Sequence, residues 1–251
     1  MIRAFLFLLL ACFCQSVVSQ TVTLSTGEWS PYNSEKLKYG GISNGLVEEA
    51  FAQEGIKVDY IYTSWPRAYR ISEAGEVAGT CCWYESDKRR KTHFYSDPIV
   101  SDSVVWFHLK GRPIKWQSMK DLKGKRIVAI RGFTYNEAFY KAIEQGVIDV
   151  TFVNRLQQCF DMILAGRMDL TLEGVDRGYY VLRKNYPESE NLFTNNPEPV
   201  VVTPIHFLIS KKHPNAKKLM EVFNRGLSKL KAQGRVEEIQ LLGRLGKLHL
   251  N

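Results

Sequence analysis

Residues 80–98, TCCWYESDKRRKTHFYSDP, decide how the rest of the chain is interpreted. A short apolar run ends at Trp83 and Tyr84, and Ser86 and Asp87 then provide polar residues suited to a helix start. Four consecutive cations, residues 88–91, follow, and a proline stop closes the segment. An arginine just beyond a strand end presents a planar fork that can bind both oxygens of a carboxylate. A solvated basic turn is the alternative, and the pattern on either side favours the anion-binding interpretation.

Strands and helices alternate on both sides of this stretch. Upstream, the pattern predicts strands at 22–25, 57–62 and from 76 onward, with helices at 46–53 and 64–75. After an extended run at 103–109 the alternation repeats, with strands at 126–130, 149–153 and 168–172 and helices that start at 132–134, at 155 and after 173. A second extended run at 200–210 precedes a terminal helix at 215–232, whose apolar stripe we expect to return to the first half.

Two such repeats joined by two extended crossings predict an α/β protein of two lobes. Each lobe is expected to be a mostly parallel sheet flanked by helices, with a cleft between the lobes. We place the first lobe at 20–103 and 206–251 and the second lobe at 104–205.

The first 19 residues are interpreted as an export signal rather than as part of the fold. Arg3 supplies the positive start, residues 4–13 form an apolar run too short to span a bilayer, and Val17 and Ser19 give a small-residue cleavage pattern. No later stretch is long and apolar enough to cross a membrane. We therefore expect an exported, soluble protein without a lipid anchor.

Composition excludes several classes of function. The formal net charge of +8 could favour anionic ligands, but the cations are scattered and do not form the aromatic-interleaved basic patch of a nucleic-acid binder. The sequence has no CxxC motif and no His/Cys spacing typical of a metal site. It also has no nucleotide loop and no nucleophile triad, so we expect neither a cofactor nor a catalytic centre. Cys159 lies on an apolar helical stripe and is expected in the core. Cys81 and Cys82 are adjacent, and a strained vicinal disulfide between them is an alternative to two free thiols.

Five segments together resemble the bacterial extracellular solute-binding proteins of family 3, the polar amino-acid type of ABC uptake systems. They are TGEWSPY, SDKRRKTHFYSDPI, DLKGKRIVAIRGFT, LAGRMDL and FLISKKHPNAKKLMEVFNRGLSKLKAQG, and they run from about residue 23 to 235. Each segment is weak alone, but their order and separation match the family. The resemblance implies the type II periplasmic binding protein fold, a periplasmic location and a monomer that docks on an inner-membrane ABC permease.

The resemblance also implies a ligand site. Arg89 corresponds to the arginine that binds the ligand carboxylate, and Trp29 and Trp65 correspond to the aromatic walls. The segment Gly132–Phe133–Thr134 corresponds to a helix start whose backbone donors meet that carboxylate, and Arg131 could add a second positive group. Arg67 could likewise face the cleft and bind a second acidic group of the ligand.

Two departures from the family pattern bear on the ligand. The aspartate that usually holds the ligand ammonium is replaced by Gly174, and Glu173 and Asp176 are candidate substitutes that lie out of register. Small hydroxyl residues after the first-lobe strand are replaced by bulkier ones, among them Tyr84, which we expect to contact the ligand. The expected ligand is therefore a small anion or zwitterion rather than a specified amino acid.

Three functions remain open at this level. The leading hypothesis is a binding protein for uptake, without enzymatic activity. A cyclohexadienyl-dehydratase-like enzyme on the same scaffold is an alternative, for which Glu173 is the candidate general acid. A ligand sensor for a membrane receptor is the third, because sensing and uptake use the same lobe closure.

Overall fold

A computed structural model describes residues 20–133 and 135–248, where strands and helices alternate along the chain. The predicted export signal at 1–19, Thr134 and the last three residues lie outside the described part. The strands are β1 Gln20–Thr26, β2 Ile56–Tyr62, β3 Gly79–Trp83, β4 His93–Tyr95, β5 Val100–Leu109, β6 Arg126–Ile130, β7 Asp149–Val153, β8 Leu170–Gly174, β9 Phe193–Asn195 and β10 Val201–Ser210. The helices are α1 Ile42–Ala52, α2 Trp65–Ala74, α3 Asp87–Thr92, α4 Glu137–Glu144, α5 Leu156–Leu164, α6 Val175–Asn185, α7 Ala216–Ala232 and α8 Arg235–Arg244.

The strand order is β2-β1-β3-β10-β5-β8-β6-β7, with β4 paired to β10 and β9 to β5. The strands β2, β1 and β3 are parallel to one another, and so are β7, β6 and β8. Between these two groups, β5 and β10 run antiparallel to each other. This arrangement confirms the predicted α/β architecture of two mostly parallel sheets joined by two crossings.

The two crossing strands change partners partway along their length. Residues 100–104 of β5 pair with residues 201–205 of β10. From Val104 onward β5 pairs with β8, whereas from His206 onward β10 pairs with β3 and β4. The predicted lobe boundaries at 103/104 and 205/206 remain a prediction, because strand pairing alone does not define rigid units.

The first lobe buries its core between the sheet and two helices. Phe51 of α1, Phe207 of β10 and Phe223 of α7 lie with ring centroids 4.9–5.7 Å apart. The apolar stripe of α7 is buried against α1, β4 and β10, which confirms that the terminal stripe returns to the first half. Cys159 is fully buried in α5, as expected, and all three cysteines of the described chain are free thiols.

The helix α8 was missed from the sequence, because only Val236, Ile239 and Gly243 are buried along it. It packs against α1 and α7 of the first lobe and against α6 of the second. Arg244 Nε lies 2.7 Å from Asp176 Oδ1, so a polar contact also joins α8 to the second lobe. This helix therefore spans the junction between the lobes.

One predicted helix boundary is wrong in a way that affects the site. The helix expected to start at residues 132–134 begins at Glu137, where the Asn136 side chain accepts a hydrogen bond from the Phe139 backbone N–H at 2.9 Å. Asn136 is a strong N-cap residue, and it sets the helix start. Gly132 and Phe133 instead belong to the turn between β6 and α4. No described helix has the length and hydrophobicity that a membrane span requires.

Gly226 allows α7 to approach α1 closely, because a Cβ at this position would lie 1.9 Å from the backbone oxygen of Ala50. Gly226→Ala is expected to lower the free energy of unfolding by about 2 kcal/mol, since overpacking outweighs the gain in helix propensity. Urea denaturation measures the change. Ser228→Ala, at an exposed position of the same helix, is the control and should be neutral or slightly stabilising. An unchanged midpoint for the Gly226 variant would contradict the close contact.

Candidate functional site

A cleft of about 580 Å³ opens where the carboxyl ends of strands from both sheets meet. The first lobe contributes the turn after β1 and the end of β3, and the second lobe contributes the turn after β6 and the end of β8. Ligands of open α/β sheets bind at this edge, beyond the strand ends. The cleft is therefore the candidate ligand site.

The structure brings most of the sequence-predicted site residues together here. Six of them line the cleft: Trp29, Trp65, Tyr84, Arg89, Phe133 and Glu173. Arg67 is exposed on α2 and is not part of the lining. Arg131 is also exposed, and its guanidinium donates to the Phe152 carbonyl at 3.3 Å. A role for these two arginines in binding remains a prediction, and Thr134 lies outside the described residues.

Arg89 is positioned in α3 at the first-lobe side of the cleft. Its guanidinium carbon lies 4.5 Å from the centre of the Trp83 ring, and Nη1 donates to the Tyr84 carbonyl at 3.2 Å. Within the described residues, no carboxylate lies within 4.0 Å of it, whereas the adjacent Arg90 pairs with Glu85. Arg89 therefore keeps donors available for an anion that enters the cleft.

Aromatic rings form the first-lobe wall. The Trp29 ring packs on Tyr32 with centroids 4.6 Å apart and meets the edge of Tyr84 at 5.9 Å. Trp65 meets Trp83 edge-on at 5.1 Å. Gly27 makes this position possible, because a Cβ there would lie 2.4 Å from the Trp65 indole.

The second-lobe wall combines a ring with a buried ion pair. Glu173, at the end of β8, is almost fully buried and pairs with Arg177, one turn along α6. Burial raises the pKa of the Glu173 carboxyl, and Arg177 opposes that shift. The Arg177 guanidinium in turn lies 5.1 Å from the centre of the Phe133 ring. This contact orients Phe133 toward the cleft.

Asp102 is the main site residue that sequence reasoning missed. It lies on β5, lines the cleft and is 5% exposed. The Tyr84 hydroxyl donates to its Oδ2 at 2.9 Å and the Tyr32 hydroxyl to its Oδ1 at 3.1 Å. Burial raises the pKa of this carboxyl, although both hydroxyl donors favour its charged form. The sequence offered one signal for this residue: Asp102 is an acid inside a run of strand-forming residues, just before the extended run predicted from residue 103.

Other lining residues were also unforeseen as contacts, among them Cys82, Trp83 and Tyr135. Cys82 adopts a positive φ of 72°, and its buried thiol lies 3.5 Å from the Ser43 hydroxyl, to which it donates. Burial raises the pKa of the Cys82 thiol well above its ordinary value, so it is a neutral thiol in this setting. Among the described residues, no group of three or more His, Cys, Asp or Glu side chains is arranged to hold a metal ion.

Comparison with known proteins agrees with this arrangement. The family model for bacterial extracellular solute-binding proteins, family 3, matches residues 22–241. No curated protein matches the sequence.

Solved structures that resemble this one include two substrate-binding domains. Substrate-binding domain 2 of Lactococcus lactis GlnP, in an open conformation, has a TM-score of 0.72 and 18% identity over 88% of this chain and 94% of its own. The second substrate-binding domain of a putative amino acid ABC transporter from Streptococcus pneumoniae has a TM-score of 0.71 and 18% identity, and the match covers 92% of this chain and 100% of its own. A histidine kinase sensor domain with similarity to periplasmic binding proteins has a TM-score of 0.61 and 18% identity, and the match covers 88% of this chain and 94% of its own.

At such identities the structural likeness establishes the fold, which is that of the type II periplasmic binding proteins. The family match covers most of the sequence, and the cleft lies at the strand ends between the lobes. The chain therefore belongs to the bacterial extracellular solute-binding proteins of family 3.

Proposed function

We propose that this protein captures a small carboxylate-bearing solute, an amino acid or a related anion, in the interlobe cleft. The observation that carries the proposal is Arg89, which lines the cleft and has no acidic partner within 4.0 Å among the described residues. A guanidinium binds a carboxylate through two parallel charge-assisted hydrogen bonds. Its stacking on Trp83 fixes the fork in place and lowers the entropy lost on binding.

The size and walls of the cleft support a small ligand. A volume of about 580 Å³ lies within the range of small-molecule sites. The indoles of Trp29, Trp65 and Trp83 offer flat apolar faces to the ligand body. We infer that the ligand holds the two lobes together when it contacts both walls, and that β5 and β10 act as the hinge.

We assign the protein to ABC-type uptake, as an exported periplasmic protein that delivers its ligand to an inner-membrane permease. Two of the similar structures are substrate-binding domains, and one of these is described as belonging to a putative amino acid ABC transporter. The sensor-domain likeness has the lower TM-score, so sensing is the second candidate. Deletion of the gene should reduce uptake of the bound solute by the host. Unchanged uptake with loss of a transcriptional response would favour sensing.

One observation favours the dehydratase alternative, namely the raised pKa of Glu173 in the cleft. Its ion pair with Arg177 favours the anion over the protonated acid that such chemistry needs. We therefore propose binding without turnover. Prephenate and arogenate should be recovered unchanged after incubation with the protein, and their conversion would favour the enzyme.

A thermal-shift screen with the twenty standard L-amino acids and common dicarboxylates tests the proposal. At least one compound should raise the melting temperature of the wild-type protein, because a ligand that binds only the folded state stabilises it. Arg89→Ala should weaken binding of that compound by about 30-fold or more, as expected when one partner of a desolvated charge pair is removed.

Arg70→Ala is the matched control for this screen. Arg70 is an exposed arginine of α2 that does not line the cleft, so its loss should leave the shift unchanged. A panel in which no compound stabilises the wild type would contradict the proposed function. Equal binding by the wild type and the Arg89 variant would contradict the role of Arg89.

Tryptophan fluorescence offers a second prediction. Three of the five tryptophans, Trp29, Trp65 and Trp83, line the cleft, whereas Trp106 and Trp116 pack in the second-lobe core. The stabilising compound should change the emission of the wild type and of Trp116→Phe to a similar extent. Trp65→Phe should reduce the change. An undiminished response in Trp65→Phe would indicate that the ligand binds elsewhere.

A further inference from the structure

Three buried carboxylates lie in or next to the lining of the cleft, and they differ in their partners: Asp102 and Glu173 line it, and Asp176 shares the Tyr32 hydroxyl with Asp102. Glu173 pairs with Arg177, and Asp176 lies 2.7 Å from Arg244 Nε. Asp102, in contrast, receives only hydrogen bonds from phenolic hydroxyls. Within residues 20–133 and 135–248, no Lys, Arg or His nitrogen lies within 4.0 Å of Asp102. Asp102 is therefore the carboxylate of this set without an ion-pair partner within that distance, and it lines the cleft.

Gly174 leaves the space that the Asp102 carboxylate fills. A Cβ at Gly174 would lie 2.3 Å from Asp102 Oδ1. The backbone of Gly174 has φ −62° and ψ 137°, which any residue adopts, so conformation does not require glycine here. Gly174 pairs with Val104 across the β5–β8 ladder, which places Asp102 two residues along the same face. The absent side chain at 174 thus makes room for a carboxylate from the neighbouring strand.

A buried carboxylate without an ion-pair partner destabilises the ligand-free protein when it is charged. Burial disfavours its charged form, and the charges of nearby acids add repulsion. The Tyr32 and Tyr84 hydroxyls orient the carboxylate and satisfy one lone pair on each oxygen, but they bring no positive charge. A cation that enters the cleft would remove the penalty.

Tyr84 connects this group to Arg89. Its carbonyl accepts from the Arg89 guanidinium and its hydroxyl donates to Asp102 Oδ2, so one residue contacts both the positive and the negative group. A ligand that satisfies both must carry a carboxylate and a cationic nitrogen a short distance apart.

We propose that Asp102, whose carboxylate fills the space left by Gly174, binds the cationic nitrogen of the ligand, while Arg89 binds the ligand carboxylate. This inference rests on the proposed function and narrows it to zwitterionic solutes. Asp102 is then the residue that determines selection for the amino group.

Paired ligands separate this role from a structural one. Each standard L-amino acid is titrated beside the carboxylic acid that lacks its amino group, into the wild type and into Asp102→Asn. The wild type should prefer one amino acid over its deaminated analogue. Asp102→Asn should bind that amino acid about 30-fold or more weakly, with little change for the analogue. Asp102→Ser serves the same comparison if the asparagine variant does not fold.

The outcomes distinguish the inference from the proposal beneath it. Equal affinity of the wild type and Asp102→Asn for the amino acid would overturn the role of Asp102 and leave the proposed function standing. Equal losses for both members of the pair would also overturn it, because they indicate a structural defect. If the wild type binds neither member of any pair, the proposed function and this inference both fail.

The free protein gives a test that needs no ligand. Asp102 faces Tyr32, Tyr84, Glu173, Asp176 and Arg177, and the net effect is a raised pKa for its carboxyl. An acid whose pKa is raised on folding contributes stability below its unfolded pKa, and that contribution is lost as pH rises through the folded value. The melting temperature of Asp102→Asn relative to the wild type should therefore increase as pH rises above about 4. A relative decrease would show that Asp102 is already neutralised, and it would overturn the inference.

Discussion

The antiparallel pairing of β5 with β10 is the interaction on which the rest of the structure depends. Five residue pairs, from Val100↔Ile205 to Val104↔Val201, join the two sheets before the strands diverge into different lobes. Because both crossings lie side by side, the strand ends of the two lobes face each other across one cleft. Asp102 lies within the paired segment, opposite Thr203. A ligand that contacts Asp102 would therefore contact the two crossing strands, which we propose act as the hinge.

The fold could be predicted where local chemistry determines it. The strands at 126–130 and 149–153 have the predicted bounds, because apolar runs between charged or glycine-containing turns are specific signals. The helix α8 could not be predicted, since it buries a narrow face and depends on contacts with α1 and α6 that are distant in sequence. The helix α4 starts at Glu137 rather than at the predicted residues 132–134, because Asn136 caps it and Gly132 belongs to the preceding turn.

The candidate site likewise contains residues that could be predicted from the sequence and residues that could not. Arg89 and Trp29 could be inferred because each lies within a segment that resembles the family, and Trp65 because the resemblance places the opposite aromatic wall there; all three line the cleft. Asp102 could not, because its role depends on the cross-strand register that brings it beside Gly174. A glycine in the sequence indicates a missing side chain, but only the paired strand shows which group occupies the space. The exposed positions of Arg67 and Arg131 likewise depend on tertiary packing.

Charge is distributed so that the free cleft is left with one unpaired group of each sign. Arg177 neutralises Glu173, whereas Arg89 and Asp102 lack ionic partners within 4.0 Å in the described chain. A crystal structure of the protein purified from its host, with the solute that it retains, tests this account most directly. The account predicts a ligand carboxylate on the Arg89 guanidinium and a ligand nitrogen within hydrogen-bond distance of Asp102. A ligand bound outside the cleft, or one that contacts neither group, would contradict it.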